Sequence, residues 1–347
     1  MRFIERLLKF LILLLVLLVG VAFLLPAKVH VERSIAIDRP ASEVFAVVNS
    51  FKLLNAWSPW AEKDPNAKYT FEGPRNGVGA KINWVGNAEV GSGNQTITAS
   101  DSKQAEKRVS SAIDFGEMGK VSADFFLSPA PTGSQVRWTM DMNLPLSFDK
   151  NIVSNLIGRY MGLFMDRLVG PDYERGLAKL KVLLEGFPNV DITGMDGEPV
   201  ELAAQNILFV SAHSSNDLAA TSAILAAAYT QIRSYALANK ILLVDGPLTI
   251  TTHSDTSGWQ FDAAIPVDRI DGAADEQVKS GTKYAGKAVQ FYSVGSYDKL
   301  PDSIARAYAW LAMNGYQPAD RLIEQYIDDP ASMSVEQVRT LIQIPVK

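Results

Sequence analysis

The chain has 347 residues, 47% of them apolar and 20% charged, which allows two packed domains and argues against global disorder. Its formal net charge of −5 leaves no basic footprint for nucleic acid, and no Lys/Arg block stands outside the extreme N-terminus. The absence of cysteine excludes disulfides, thiol chemistry and Cys-type metal sites, and because His30, His213 and His253 form no HxxxH pair a His-rich metal site is not expected either, nor any other cofactor.

The first element is the opening "MRFIERLLKFLILLLVLLVGVAFLLPAK", where Arg2, Arg6 and Lys9 precede an uncharged apolar run over residues 10–27. At 1.5 Å per residue a helix of that length reaches about 27 Å, nearly the hydrocarbon thickness of a bilayer. A cleaved signal peptide is the rival reading, but its apolar region is normally shorter, and "LLPAK" is a poor cleavage site. Residues 1–27 are therefore expected to be a signal anchor. The basic flank predicts a single-pass protein of a bacterial inner membrane, N-terminus cytoplasmic and residues 28–347 periplasmic.

Residues 28–187 are expected to form the first domain. Val29, Val31, Ile35 and Ile37 alternate as in a strand, interrupted by Glu32-Arg33, and "DRPASEVFAVV" reads as a helix start with Pro40 early and Glu43 in its first turn. The short runs "KINWV", "NQTITAS", "EKRVSSAIDF", "VSADFFLS" and "QVRWTMDMN" follow, separated by turn residues as in an antiparallel meander. Leucines and aromatics at helical spacing then mark a long helix to Leu184, with a bend expected at Gly170-Pro171. "GNAEVGSGN" fits hairpin turns and is neither a P-loop nor a Rossmann fingerprint.

In order and wording, "RSIAIDRPASEVFAVVNSFKLLNAWSPW", "GVGAKINWVGN" and the closing amphipathic helix resemble the SRPBCC (START-like, polyketide-cyclase-like) helix-grip superfamily. The resemblance implies a sheet curled around a long helix with an apolar cavity between them. Trp57, Trp60 and Trp84, with Trp138, Phe115 and Phe126, would be wall residues; ordinary core aromatics are the plainer reading.

After a Gly/Pro/Asp-rich linker, residues 188–203, the domain at 204–347 contains a repeat. The Ile-Pro-Val of "FDAAIPV", 261–267, returns 79 residues later within "LIQIPVK", 341–347, and "RSYALAN" at 233–239 rhymes with "RAYAWLAMN" at 306–314. Two β-α-β-β units are predicted to share one antiparallel sheet with both helices on one face, so the whole chain is α+β. The elements "AGK", "GSYDKL", "NGYQP", "YIDDP" and "IPV" arrive in the order of the GyrI-like effector-binding domain, which this region resembles over about 200–347. The resemblance implies a ligand groove between the repeats on the sheet face opposite the helices, taking small and often cationic or aromatic molecules; some relatives are hydrolases with an acid in that groove.

Strand parity then sorts candidate residues. Asp262, Leu341 and Gln343 are predicted to share the groove face, as are Glu324 and Tyr326, while Ile323 and Ile327 go with the helices. Tyr326 matches the tyrosine of the family's Y-x-x-DP element. The resemblance places the family's functional acid at the position of Leu341, so the groove is expected to lack it and binding is favoured over catalysis. Asp262 and Glu324 are the possible substitutes, as general acid/base or as partner of a cation, or else plain solvated or ion-paired acids. The expected function is a membrane-anchored, extracytoplasmic binding protein for an apolar or amphipathic small molecule. A hydrolase or cyclase-like enzyme acting in the groove or the helix-grip cavity is the alternative.

Overall fold

The structure is a computed structural model that describes residues 2–116, 119–146, 152–215, 217–270, 277–328 and 332–347. The chain folds as two compact units, residues 1–191 and 192–347.

The first unit opens with helix α1 (Arg2–Leu24), of which Phe3–Leu24 is long and apolar enough to cross a membrane by length and composition. Strand β1 (Lys28–Ile37) and helix α2 (Ala41–Val48) follow, then two single-turn helices, α3 (Leu54–Trp57) and α4 (Trp60–Lys63). The meander comprises β2 (Lys68–Glu72), β3 (Lys81–Val85), β4 (Ser92–Asp101), β5 (Lys107–Asp114), β6 (Lys120–Pro129) and β7 (Ser134–Asn143). These make one antiparallel sheet of order β1-β7-β6-β5-β4-β3-β2. The helices α5 (Ile152–Gly162) and α6 (Met165–Glu185) close the unit. Apolar residues at every second strand position, such as Ile82, Ile97, Leu127 and Val136, meet Tyr173, Leu177, Leu180 and Leu184 at helical spacing on α6.

β1 is continuous through the expected Glu32-Arg33 interruption, pairing with β7 along its whole length. Arg33 keeps the inward parity of Val31 and is neutralised from above: its guanidinium bonds Asp166 at 2.8 Å and Glu174 at 2.7 Å. Those acids flank Gly170 by one helical turn on each side, and a Cβ on Gly170 would collide with the Arg33 guanidinium. The glycine is there for the arginine. The helical stretch is interrupted at residues 163–164, and α6 stays helical through Pro171.

The second unit contains β8 (Glu198–Leu202), β9 (Gln205–Ser214), α7 (Leu218–Ala238), β10 (Leu248–Asp255), β11 (Gly258–Val267), β12 (Lys279–Lys283), β13 (Gly286–Val294), α8 (Leu300–Met313), β14 (Ile323–Tyr326) and β15 (Arg339–Pro345). Its sheet has order β12-β9-β11-β10-β14-β15-β13-β8 with every neighbour antiparallel. The duplicated units β9-α7-β10-β11 and β13-α8-β14-β15 meet at the β10–β14 seam. Pro266 and Pro345 end equivalent strands, where the missing N–H is harmless. Their carbonyls accept from Val244 N at 3.0 Å and Ala319 N at 2.9 Å, the same contact in each repeat. Residues 198–202, within the expected linker, instead form the edge strand β8 on β13. Gly197 makes this possible, since a Cβ there would lie 2.7 Å from the Phe291 and Trp310 rings.

Candidate functional site

A cavity of about 1730 Å³ lies in the second unit between α7 and α8, over the central strands. α7 contributes Leu225 and Tyr229, α8 contributes Ile304 and Tyr308, and Tyr297 enters from the turn before α8. The floor carries Thr251, Trp259, Glu324 and Tyr326. α7 packs on its own repeat through Tyr229 and Ile232 against Phe261, Ala263 and Ile265, and α8 on its own through Trp310 against Phe291. Each helix covers one half of the sheet, and the seam between the halves is left open as the groove.

Glu324 is 4% exposed and is the groove's buried acid. Burial pushes its carboxyl up to about 7, against the opposing effect of a hydrogen bond from Tyr326. It faces Thr249 across the seam, and the Thr249 hydroxyl lies 3.4 Å from the Tyr326 hydroxyl. Tyr326 meets Tyr297 edge to face at 5.5 Å, and the Tyr229 hydroxyl donates to the Leu248 carbonyl at 3.0 Å. The phenols of Tyr229, Tyr308 and Tyr326 are all raised, first by burial and then by the Glu324 charge, so they stay protonated donors. Trp259 stacks obliquely on Phe261 at 4.0 Å and donates to Thr251 at 3.0 Å, which fixes its ring beside the cavity. The lining also carries charged residues, Arg233, Asp298 and Asp328 among them, but the carboxylate buried beside the aromatic faces is Glu324, which can face an apolar molecule when protonated and a cation when ionised.

This geometry corrects the expected face of the groove, which lies on the helix-covered side of the sheet. Glu324 and Tyr326 do face it, but on the same side as the helices, and Ile323 points the other way into a cluster with Ile207, Leu248, Ile250 and Ala264. Asp262, Leu341 and Gln343 lie on that opposite face, outside the groove. Asp262 accepts from Ser211 at 2.8 Å and pairs with Arg321 at 3.4 Å, while Leu341 and Gln343 are buried. Asp262 and Leu341 therefore say nothing about the acid in the cavity. The Asp329-Pro330 pair of the Y-x-x-DP element lies outside the described residues. His253 lies on β10 beyond a bulge, pairs with Asp255 at 2.9 Å and lines the outer cavity.

Trp259 and the helix tyrosines were not among the predicted site residues, yet a signal for the tyrosines exists. Ala226-x-Ala228-Tyr229 recurs as Ala305-x-Ala307-Tyr308, at the same 79-residue offset as Ile-Pro-Val. In both copies the second alanine is buried against the sheet and the tyrosine turns to the groove.

In the first unit, aromatic rings occupy the space between the sheet and α6 where the resemblance implies a cavity. Trp138 stacks on Tyr173 at 3.8 Å and on Phe125 at 5.0 Å, with Trp57 and Trp60 edge-on to Trp138 at 5.6 and 6.0 Å. Trp57 and Trp60 are thus part of a packed aromatic core. Trp84 packs on Phe115 at 5.7 Å near the sheet edge, and Phe126 lies on the outer face under the Arg137 and Arg108 guanidiniums. Among the described residues no group of three His, Cys, Asp or Glu side chains is placed to hold a metal.

Residues 28–185 match the family described as polyketide cyclase / dehydrase and lipid transport, and residues 195–347 the family described as GyrI-like small molecule binding domain. No curated protein matches the sequence. Among solved structures, the C-terminal domain of EcmrR is 16% identical, covering 44% of this chain and 98% of that one, with a TM-score of 0.40. A hydrolase from Listeria innocua is 16% identical over 44% of this chain and 92% of its own, TM-score 0.34. SAV2435, solved bound to tetraphenylphosphonium, is 16% identical over 44% and 94%, TM-score 0.32. Likenesses of this size leave the function of the chain open.

Proposed function

We propose that this chain, which carries a polyketide cyclase/dehydrase and lipid transport domain followed by a GyrI-like small-molecule binding domain, is a membrane-anchored extracytoplasmic binding protein for lipophilic, aromatic and preferably cationic small molecules. The observation that supports it most is Glu324: a carboxyl at about 7, buried among Tyr229, Tyr297, Tyr308 and Tyr326 at the seam of the repeats. Among the described residues no salt bridge reaches Glu324; a buried acid so placed is costly when ionised, and an aromatic cation relieves that cost while its own charge meets the ring faces. The anchor, α1, and its basic N-terminal flank support the cellular setting.

The test is binding of tetraphenylphosphonium to the full chain in detergent, by calorimetry, across the range around pH 7. The wild-type protein should bind more tightly as Glu324 ionises, by up to about tenfold per pH unit below 7. Glu324→Gln should weaken binding about 10- to 100-fold above pH 7 and flatten the pH dependence. Equal, pH-independent binding by the two proteins would remove the carboxyl from the mechanism. Labelling of single cysteines in the second unit by a membrane-impermeant reagent in intact cells decides the topology. An acid titrating near neutrality is also what general-acid catalysis needs, so the hydrolase reading stays alive as the one in which Glu324→Gln abolishes turnover.

A further inference from the structure

Among the described residues α1 is exposed from Phe3 to Leu18, and cover begins in its last two turns, at Val19, Val21 and Ala22. The cover includes α5. Tyr160 donates its hydroxyl to the Leu18 carbonyl at 2.7 Å, and Arg159 donates to the Leu25 carbonyl at 2.5 Å. Leu18 stands six residues before the end of α1, about 9 Å along a helix. α5 therefore lies beside the end of the candidate span, at a depth that a bilayer crossed by α1 would fill with lipid.

The composition of α5 suits that depth. Across "IVSNLIGRYMGLFM", residues 152–165, Arg159 is the sole charge, and it is turned in, 8% exposed, with one guanidinium nitrogen on the Leu25 carbonyl. The side chains left outside are Val153, Ile157 and Met161 at four-residue spacing, then Leu163, Phe164 and Leu168. Six exposed apolar groups on one short stretch make a patch of the kind that marks an interaction surface. Asp166, Arg167 and Glu174 resume the charges only where the chain turns up toward the sheet. A helix that lies in a membrane interface buries its apolar face by about 5–10 Å, the depth at which Tyr160 meets α1.

We infer that α5 and the turn after it, residues 152–164, form an interfacial foot embedded in the rim of the bilayer that α1 crosses. This rests on reading α1 as a membrane span. The foot fixes the first unit against the lipid surface at two points, the end of α1 and the apolar face of α5, rather than leaving it on a free tether.

The natural chain has no cysteine, so single nitroxide-labelled cysteines report one site at a time. Leu13→Cys, Ile157→Cys, Phe164→Cys and Val182→Cys are each made in the full chain reconstituted in vesicles of phosphatidylethanolamine and phosphatidylglycerol. All four positions are exposed in the protein, and Val182 is an apolar control near the far end of α6. Accessibility to a lipid-soluble relaxant is compared with accessibility to a water-soluble one. The inference expects lipid at Leu13, and at Ile157 and Phe164 a lipid-to-water ratio several-fold above that at Val182. Ratios at Ile157 and Phe164 equal to that at Val182, with lipid at Leu13, overturn the foot and leave the anchor standing. Water at Leu13 removes the anchor and the foot together.

Discussion

Replacing Glu324 by glutamine isolates the titration of the groove from everything else in the protein. Its carboxyl stands at about 7 in the folded chain against an ordinary 4.5, and burial is the main cause. The sign follows from which state holds the proton. Below 4.5 both folded and unfolded chains are protonated, and the contribution to stability is fully present. Between 4.5 and about 7 the unfolded chain gives up its proton while the folded chain keeps it, so stability falls with rising pH. Above about 7 the folded chain ionises too, and the contribution is gone. At about 1.4 kcal/mol per pH unit, raising the carboxyl from 4.5 to about 7 corresponds to about 3 kcal/mol.

Glutamine keeps the shape and can still accept from Tyr326, but it does not ionise. Between about pH 4 and pH 8 the wild-type chain should therefore lose about 3 kcal/mol of unfolding free energy relative to Glu324→Gln. The wild-type profile alone would not settle the matter. Glu43 in the first unit is also fully buried and also held at about 7 by burial, so it loses stability over the same window. Subtracting the two profiles removes Glu43, which is unchanged in both. Urea unfolding of the full chain in detergent, followed by tryptophan fluorescence, supplies the profiles. Parallel curves would mean that Glu324 is ionised in the folded protein at neutral pH and the groove floor is wet, and the binding argument would fall with them.

Two further substitutions separate packing from recognition. A Cβ at Gly176 would lie 2.8 Å from the Trp138 ring and 3.1 Å from Pro59, so Gly176→Ala should destabilise the first unit by about 1–3 kcal/mol, read as a lowered midpoint in thermal unfolding; an unchanged midpoint would mean that α6 does not press on the aromatic cluster. Asp262→Asn should leave tetraphenylphosphonium binding unchanged, because the Asp262 side chain lies on the face away from the groove, accepting from Ser211. A loss matching that of Glu324→Gln would put the ligand on the opposite face.

Much of the fold was legible because its signals are local. The apolar N-terminal run, the alternation in the meander and the recurrence of Ile-Pro-Val each depend on neighbouring residues, and the structure contains α1, the seven-stranded sheet and the duplicated units accordingly. The failures are non-local. Residues 198–202, Glu-Pro-Val-Glu-Leu, follow a glycine and carry a proline, so the local signal reads as a linker; β8 exists because β13 offers an edge and Gly197 leaves room for Phe291 and Trp310. Pro171 would ordinarily stop a helix, but α6 is held across it by Tyr173, Leu177 and Leu180 against the sheet and by Arg33 between Asp166 and Glu174.

The groove was misplaced for a different reason. Parity separates the two faces of a strand without saying which face holds the ligand, and in the central strands both faces are buried. On β11, Phe261, Ala263 and Ile265 lie under α7, so apolar parity does point to the helices. On β14 the rule inverts: Ile323 packs away from the helices and Glu324 and Tyr326 point toward them, because β14 runs along the seam that neither helix covers. A polar pair on the helix side of a seam strand is what a groove between helices requires, since an apolar pair there would draw the helices together and close it. The acid that distinguishes the two repeats inside the groove stands at the seam, whereas the one in the Ile-Pro-Val tails, Asp262 against Leu341, lies on the other face. Thr249 of one repeat faces Glu324 of the other, one giving a hydroxyl and one a carboxyl to the same floor. That asymmetry puts one deeply buried carboxyl, rather than a symmetric pair, on the floor between the tyrosines of the two repeats, while the other charged residues of the lining, such as Arg233 and Asp328, stand around it.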